Sequence, residues 1–169
     1  MSALTITMTK GPRDDGIAIT RADGSTAQTR FPHTGPAPHD AVHFFVERGL
    51  DLPRAFWGLV AEGRHPEDIA ALAKQQGHAS AARAQVPGAE IVQLLQAERL
   101  VECFEAQLWS QAAPDAAFMD IARVACETSH VALPSASLDQ CGAVMGEIFA
   151  FARTWMAAPT GHVATLEWD

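Results

Sequence analysis

The spacing of apolar residues changes once along this chain, and that change limits what it can fold into. Up to Phe31 the pattern alternates. Leu4, Ile6 and Met8 are set against Thr5, Thr7 and Thr9, and Ile17 and Ile19 against Ala18 and Thr20. A period of two places one set of side chains on a single face of a strand. Beyond Pro32–Pro38, which holds three prolines and a glycine, apolar residues recur every three to four positions, the spacing of a helix buried on one side. Strands first and helices afterwards favour an α+β fold over a wound parallel sheet.

Residues 1–31 are expected to form a three-stranded antiparallel meander. Lys10–Gly16 reads as a loop, and Asp23-Gly24 supplies the positive φ angles of a tight hairpin before the returning strand Thr26–Phe31. Residues 38–158 read as the helical part, with five to six helices. The first spans Pro38–Gly49 and the second Leu52–Glu62, closed by Gly63. A third opens at His65-Pro66-Glu67-Asp68 and fades by Gly77, and residues 77–88 read as a polar loop. Ala89–Gln111 is the longest helical pattern, followed by Pro114–Ser129. Ser137 and Gln140 form a capping-box signature for a last helix reaching Ala158. Its apolar stripe is Cys141, Val144, Ile148, Phe151 and Trp155. The tail, 162–168, alternates again and is expected to close the sheet as a fourth strand, covering an edge. The whole chain of 169 residues fits a single α+β domain.

Composition narrows the function classes. Twenty acidic residues against twelve basic ones give a net charge of −8, and no basic run occurs, so neither nucleic acid nor an anionic membrane is expected as a partner. No segment approaches the ~20 apolar residues of a membrane span, and Met1–Ile6 does not resemble a secretory leader. Cys103, Cys126 and Cys141 are odd in number and lie in apolar helical contexts, so reduced, buried thiols and a cytoplasmic, bacterial-type protein are expected. Self-association into a homo-oligomer is compatible with this composition, and no small-molecule substrate is specified. Nucleotide-binding glycine motifs and a Gly-x-Ser-x-Gly elbow are both absent.

The chemically distinctive segment is Pro38-His39-Asp40-Ala41-Val42-His43-Phe44-Phe45-Val46-Glu47. His39, His43 and Glu47 fall within an arc of about 80° on one helix. Two imidazoles at i and i+4 can chelate one divalent ion. The segment resembles the His-Glu-x-x-His helix of zinc peptidases, with Asp40 in place of the glutamate and an acid one turn further on. The resemblance implies metal ligation by His39 and His43. Asp40 is one methylene shorter than that glutamate, so the general-base role does not transfer to it.

A second stripe lies on the longest helical pattern. Glu98, Glu102 and Glu105 fall within an arc of about 60°, on a helix face shared with Ile91, Leu94, Leu95, Val101 and Trp109. Carboxylates on an apolar side need cations, donors or protons. A metal shared with the first stripe would satisfy them, and so would arginines such as Arg54 or Arg123. The candidate ligand set is therefore His39, His43, Glu47, Glu98 and Glu102, suited to Zn²⁺, Fe²⁺ or Mn²⁺. An open coordination position would make the site hydrolytic. The alternative is a non-catalytic structural or interaction domain in which the His/Glu cluster only orders helix packing. Phe56-Trp57 reads as core rather than a binding surface. His33, His65, His78, His130 and His162 sit in loops or at element ends, as caps or surface residues, with His162 on a strand that can approach the sheet.

Overall fold

The computed structural model describes residues 3–83 and 86–169, and side chains throughout that range except those of 76–83. Four strands, β1 (Leu4–Thr9), β2 (Asp14–Arg21), β3 (Thr26–Pro32) and β4 (Val163–Trp168), form one antiparallel sheet in the order β3-β2-β1-β4. The alternation of the first segment becomes its buried face, with Leu4, Ile6, Met8, Ile17 and Ile19 in the core. The tail pairs with β1 as expected, from Leu4↔Trp168 to Thr9↔Val163. Trp168 is buried, and its ring meets Phe44 edge-on at 6.1 Å.

Six α-helices follow the meander: α1 (His39–Gly49), α2 (Phe56–Ala61), α3 (Pro66–Arg83), α4 (Val92–Ser110), α5 (Ala116–Thr128) and α6 (Leu138–Ala157), with a 3₁₀ turn at Ala89–Ile91 leading into α4. The α6 capping box forms in full between Ser137 and Gln140. Helix α1 is buried almost all round, packing against α4, α6 and α2. Gly49 permits this closeness, because a Cβ there would overlap the Val144 side chain of α6. Cys103, Cys126 and Cys141 are free and buried. Among the described residues, no helix is long and apolar enough to cross a membrane.

Three boundaries differ from the sequence pattern. Strand β2 begins at Asp14, inside the expected loop. Asp and Gly are poor strand formers, but Asp15 is 2% exposed and its carboxylate accepts from the Gly11 amide and pairs with His33 Nδ1 at 2.8 Å, so the buried acid is satisfied. Helix α2 starts only at Phe56. Asp51 takes a positive φ of 56° and the Leu52 amide bonds back to the Glu47 carbonyl, so the chain turns before it can coil. Helix α3 continues past Gly77 to Arg83. One interior glycine costs only about 1 kcal/mol relative to alanine, and the alanine-rich sequence after it favours the helix. Residues 84–85 of the expected loop, and the side chain of His78, lie outside the described residues.

Two basic side chains fasten the meander to the helices. Lys10 Nζ donates to the Trp155 and Ala158 carbonyls at 2.8 and 2.6 Å, and to Met156 at 3.3 Å, closing the C-terminal end of α6. Arg21 donates to the carbonyls of Val60 and Arg64 at 2.6 and 2.8 Å, holding the end of α2 beside β2. Helix α1 is thus fixed between the sheet, α2, α4 and α6, and it carries the histidines.

Candidate metal site

Helices α1 and α4 lie side by side. Their packing brings His39 and His43 up to Glu98 and Glu105. His43 is 1% exposed. Its Nδ1 lies 2.8 Å from Glu47 Oε1 and its Nε2 lies 3.2 Å from Glu98 Oε1. One turn earlier, His39 Nδ1 lies 2.9 Å from Glu105 Oε1 and its Nε2 lies 4.0 Å from Glu98 Oε2. Each imidazole is therefore held at Nδ1 by its own glutamate, and both Nε2 atoms face one carboxylate. The rings meet edge-on at 4.8 Å.

Glu47 is fully buried and takes three protein donors. Oε1 accepts from the Phe56 amide at 3.1 Å, Oε2 from the Trp57 amide at 2.8 Å, and His43 Nδ1–H donates to Oε1. A carboxylate that takes two amide donors acts as an acceptor, so the proton between Glu47 and His43 belongs on Nδ1. The same contacts cap α2, whose N-cap residue Ala55 supplies no side-chain oxygen. Gly58 lets that turn fold tightly, since a Cβ there would overlap the Pro53 carbonyl.

Electrostatics follow from this packing. Burial disfavours the His43 imidazolium, but hydrogen bonds and charge from Glu47 and Glu98 outweigh it, and the pKa stands well above the ordinary imidazole value. Burial raises the Glu47 carboxyl against the opposing pull of His43 and the two amides. Burial works the same way on Glu98, but His43, His39 and Arg99 overcome it, and its pKa is lowered. Half-buried Asp40 is pushed up by desolvation despite the two histidines.

No family model, curated protein or solved structure matches this chain. His39, His43 and Glu98 each offer one ligand atom, and the three atoms lie within 4.8 Å of one another, an arrangement that could hold a metal ion. The other expected ligands are placed differently. Glu47 sits behind His43 and is fully engaged there. Glu102 has a side chain 54% exposed, turned to Arg99 at 3.2 Å, and burial raises its pKa against the pull of that guanidinium. Its stripe leaves the core toward the C-terminal end, where Trp109 is 67% exposed. Among the described residues neither anticipated arginine pairs with these acids; the Arg123 guanidinium pairs with Glu127 and Asp120 instead. The histidines themselves satisfy Glu98 and Glu105. His162 instead lies edge-on to Trp155 at 6.0 Å.

A cleft of about 500 Å³ opens beside the group, between α1, α3 and α4. Phe56 lines it along with the site residues. From α3 come Ala70, Ala73 and Lys74, and from α4 Glu98 and Arg99. Glu105 belonged to the α4 stripe but not to the expected ligand set. Lys74 had no signal in the sequence, because its place depends on how α3 packs against α2 and α4.

Proposed function

We propose that this chain binds one divalent metal ion through His39 Nε2, His43 Nε2 and a carboxylate oxygen of Glu98. The observation that carries it is the paired orientation of the imidazoles. In metal sites a histidine commonly donates its other N–H to a carboxylate, which fixes the tautomer and aims the ligating nitrogen. Here two such pairs, His43–Glu47 and His39–Glu105, aim at the same third group. The fit is close. Two bonds of about 2.1 Å allow ligand atoms up to about 4.2 Å apart, against 4.8 Å here. About half an ångström of side-chain movement closes the set, and His39, with a side chain 44% exposed, has the freedom to supply it.

Two nitrogens and one oxygen suit Zn²⁺, Fe²⁺ or Mn²⁺. Three protein ligands would leave a coordination position open, and all three residues line the cleft, so an ion held there would supply an activated water for hydrolysis. The second reading is a purely structural cluster. It draws on Glu47, whose three protein donors join α1 to α2.

Thermal melts of the untagged protein with Zn²⁺, Mn²⁺ or anaerobic Fe²⁺ separate the two. An ion at a hundredfold excess over Kd stabilises the native state by about 2.7 kcal/mol. That corresponds to a rise in Tm of several degrees for a domain of this size. The rise should vanish in the double variant His39→Ala/His43→Ala and in Glu98→Gln, and persist in Glu102→Ala. If no ion shifts the wild-type Tm, only the packing reading remains.

A further inference from the structure

We infer that the ligand brought to this ion is a small organic anion, its carboxylate or phosphate lying between the ion and Lys74 of α3. The inference rests on the metal reading above and names the class of substrate that reading left open.

The walls of the cleft are unequal. On the α1/α4 side stand the proposed ligands, together with Asp40. The α3 side offers Ala70 and Ala73, which leave room, and Lys74 one position on, a single long cation. Arg99 is the other cation of the cleft; its Nη1 is engaged by Glu102 at 3.2 Å, while its buried Nε has no partner among the described residues and adds a second donor on the α4 wall. Lys74 has no ion-pair partner among the described residues, although Asp40 and Glu98 line the same cleft. A molecule reaching the ion from this cleft passes a wall that carries the Lys74 side chain. Two positive centres on opposite walls complement an anion placed between them.

The rest of the protein limits how large and how charged that anion is. The chain carries a net charge of −8, which repels polyanions at long range. Screening confines that repulsion to about 8–10 Å, so a small anion at contact distance feels the local cations. A cleft of about 500 Å³ suits a small molecule. The buried Phe56 ring, 5.6 Å from His43, gives an apolar surface for an organic body beside the charged head.

The test uses the full chain carrying one equivalent of Zn²⁺. Inorganic phosphate and benzoate are titrated calorimetrically into wild type, Lys74→Met and Lys74→Arg. At least one anion should bind wild type at one per chain. Lys74→Met should bind it about tenfold more weakly, the scale of a lost charged hydrogen bond. Lys74→Arg should retain most of the affinity, and Zn²⁺ affinity should be the same in all three. Lys74-dependent binding of phosphate alone assigns a phosphate head, and of benzoate alone a carboxylate. Zn²⁺-loaded wild type that binds neither anion, or that binds as well after Lys74→Met, overturns this inference and leaves the metal reading standing. A wild type that takes up none of Zn²⁺, Mn²⁺ and anaerobic Fe²⁺ fails earlier, and both readings fall with it.

Discussion

Replacing Glu47 with glutamine tests how the site is built, because the side chain keeps its shape and loses one acceptor. Both carboxylate oxygens are in use: Oε1 takes His43 Nδ1–H and the Phe56 amide, and Oε2 takes the Trp57 amide. In the least costly arrangement the new NH₂ group faces the Trp57 amide, leaving two donors opposed in a fully buried position. A buried donor without a partner costs about 1–3 kcal/mol. His43 also loses a counter-charge, and the first turn of α2 loses an anion at its positive end. The sum is about 2–4 kcal/mol. At about 2–4 °C per kcal/mol for a domain of this size, the Tm of the metal-free protein should fall by about 5–15 °C. Circular dichroism melts at neutral pH, repeated at two wavelengths to check for a single transition, measure it. A fall of less than about 2 °C would refute the claim that Glu47 caps α2 and anchors His43.

Three further outcomes follow from the same contacts. The native state holds protons more tightly than the unfolded chain at His43, whose pKa is raised, so stability from this group is full below about pH 6.5 and is lost as pH rises through the raised value. The metal-free Tm should therefore drop above about pH 6.5. The increment produced by Zn²⁺ should grow over the same interval, because the ion displaces the Nε2 proton; parallel melts with and without Zn²⁺ show whether the trends oppose. Lys10→Met removes the ammonium that closes α6 on three carbonyls, and denaturant unfolding should show a loss of about 2 kcal/mol. Deleting residues 163–169 strips β1 of its outer partner and removes buried Trp168; the loss should exceed about 3 kcal/mol, and an unchanged melting curve would show that β4 does not secure the sheet.

Hydrophobic period made the architecture legible, because period alone distinguishes a half-buried strand from a half-buried helix. It failed where local composition and tertiary context disagree. Asp14-Asp15-Gly16 reads as a loop until His33 and the Gly11 amide arrive to satisfy Asp15. Gly77 reads as a helix end, although one glycine cannot stop a run of alanines. At the site, periodicity gives an angle around a helix axis but not depth, and not which turn of one helix meets which turn of another. His39, His43 and Glu47 share an arc, yet only the two histidines face α4, while Glu47 is drawn behind them to the amides of Phe56 and Trp57. Glu98 and Glu102 share an arc too, yet only Glu98 stands opposite both Nε2 atoms. Lys74 enters the cleft through the crossing of α3, which no short-range pattern encodes.

The central claim is that His39, His43 and Glu98 together hold one divalent ion. Equilibrium dialysis of the untagged protein against Zn²⁺ at pH 7.5, followed by elemental analysis, tests it most directly when wild type is set beside His39→Ala/His43→Ala and Glu47→Gln. One tightly held ion per wild-type chain is expected, and none in the double variant. Affinity about 10–100-fold weaker is expected in Glu47→Gln, because the carboxylate that aims His43 is gone. A wild type that retains no ion, or a double variant that retains as much as wild type, would contradict the claim.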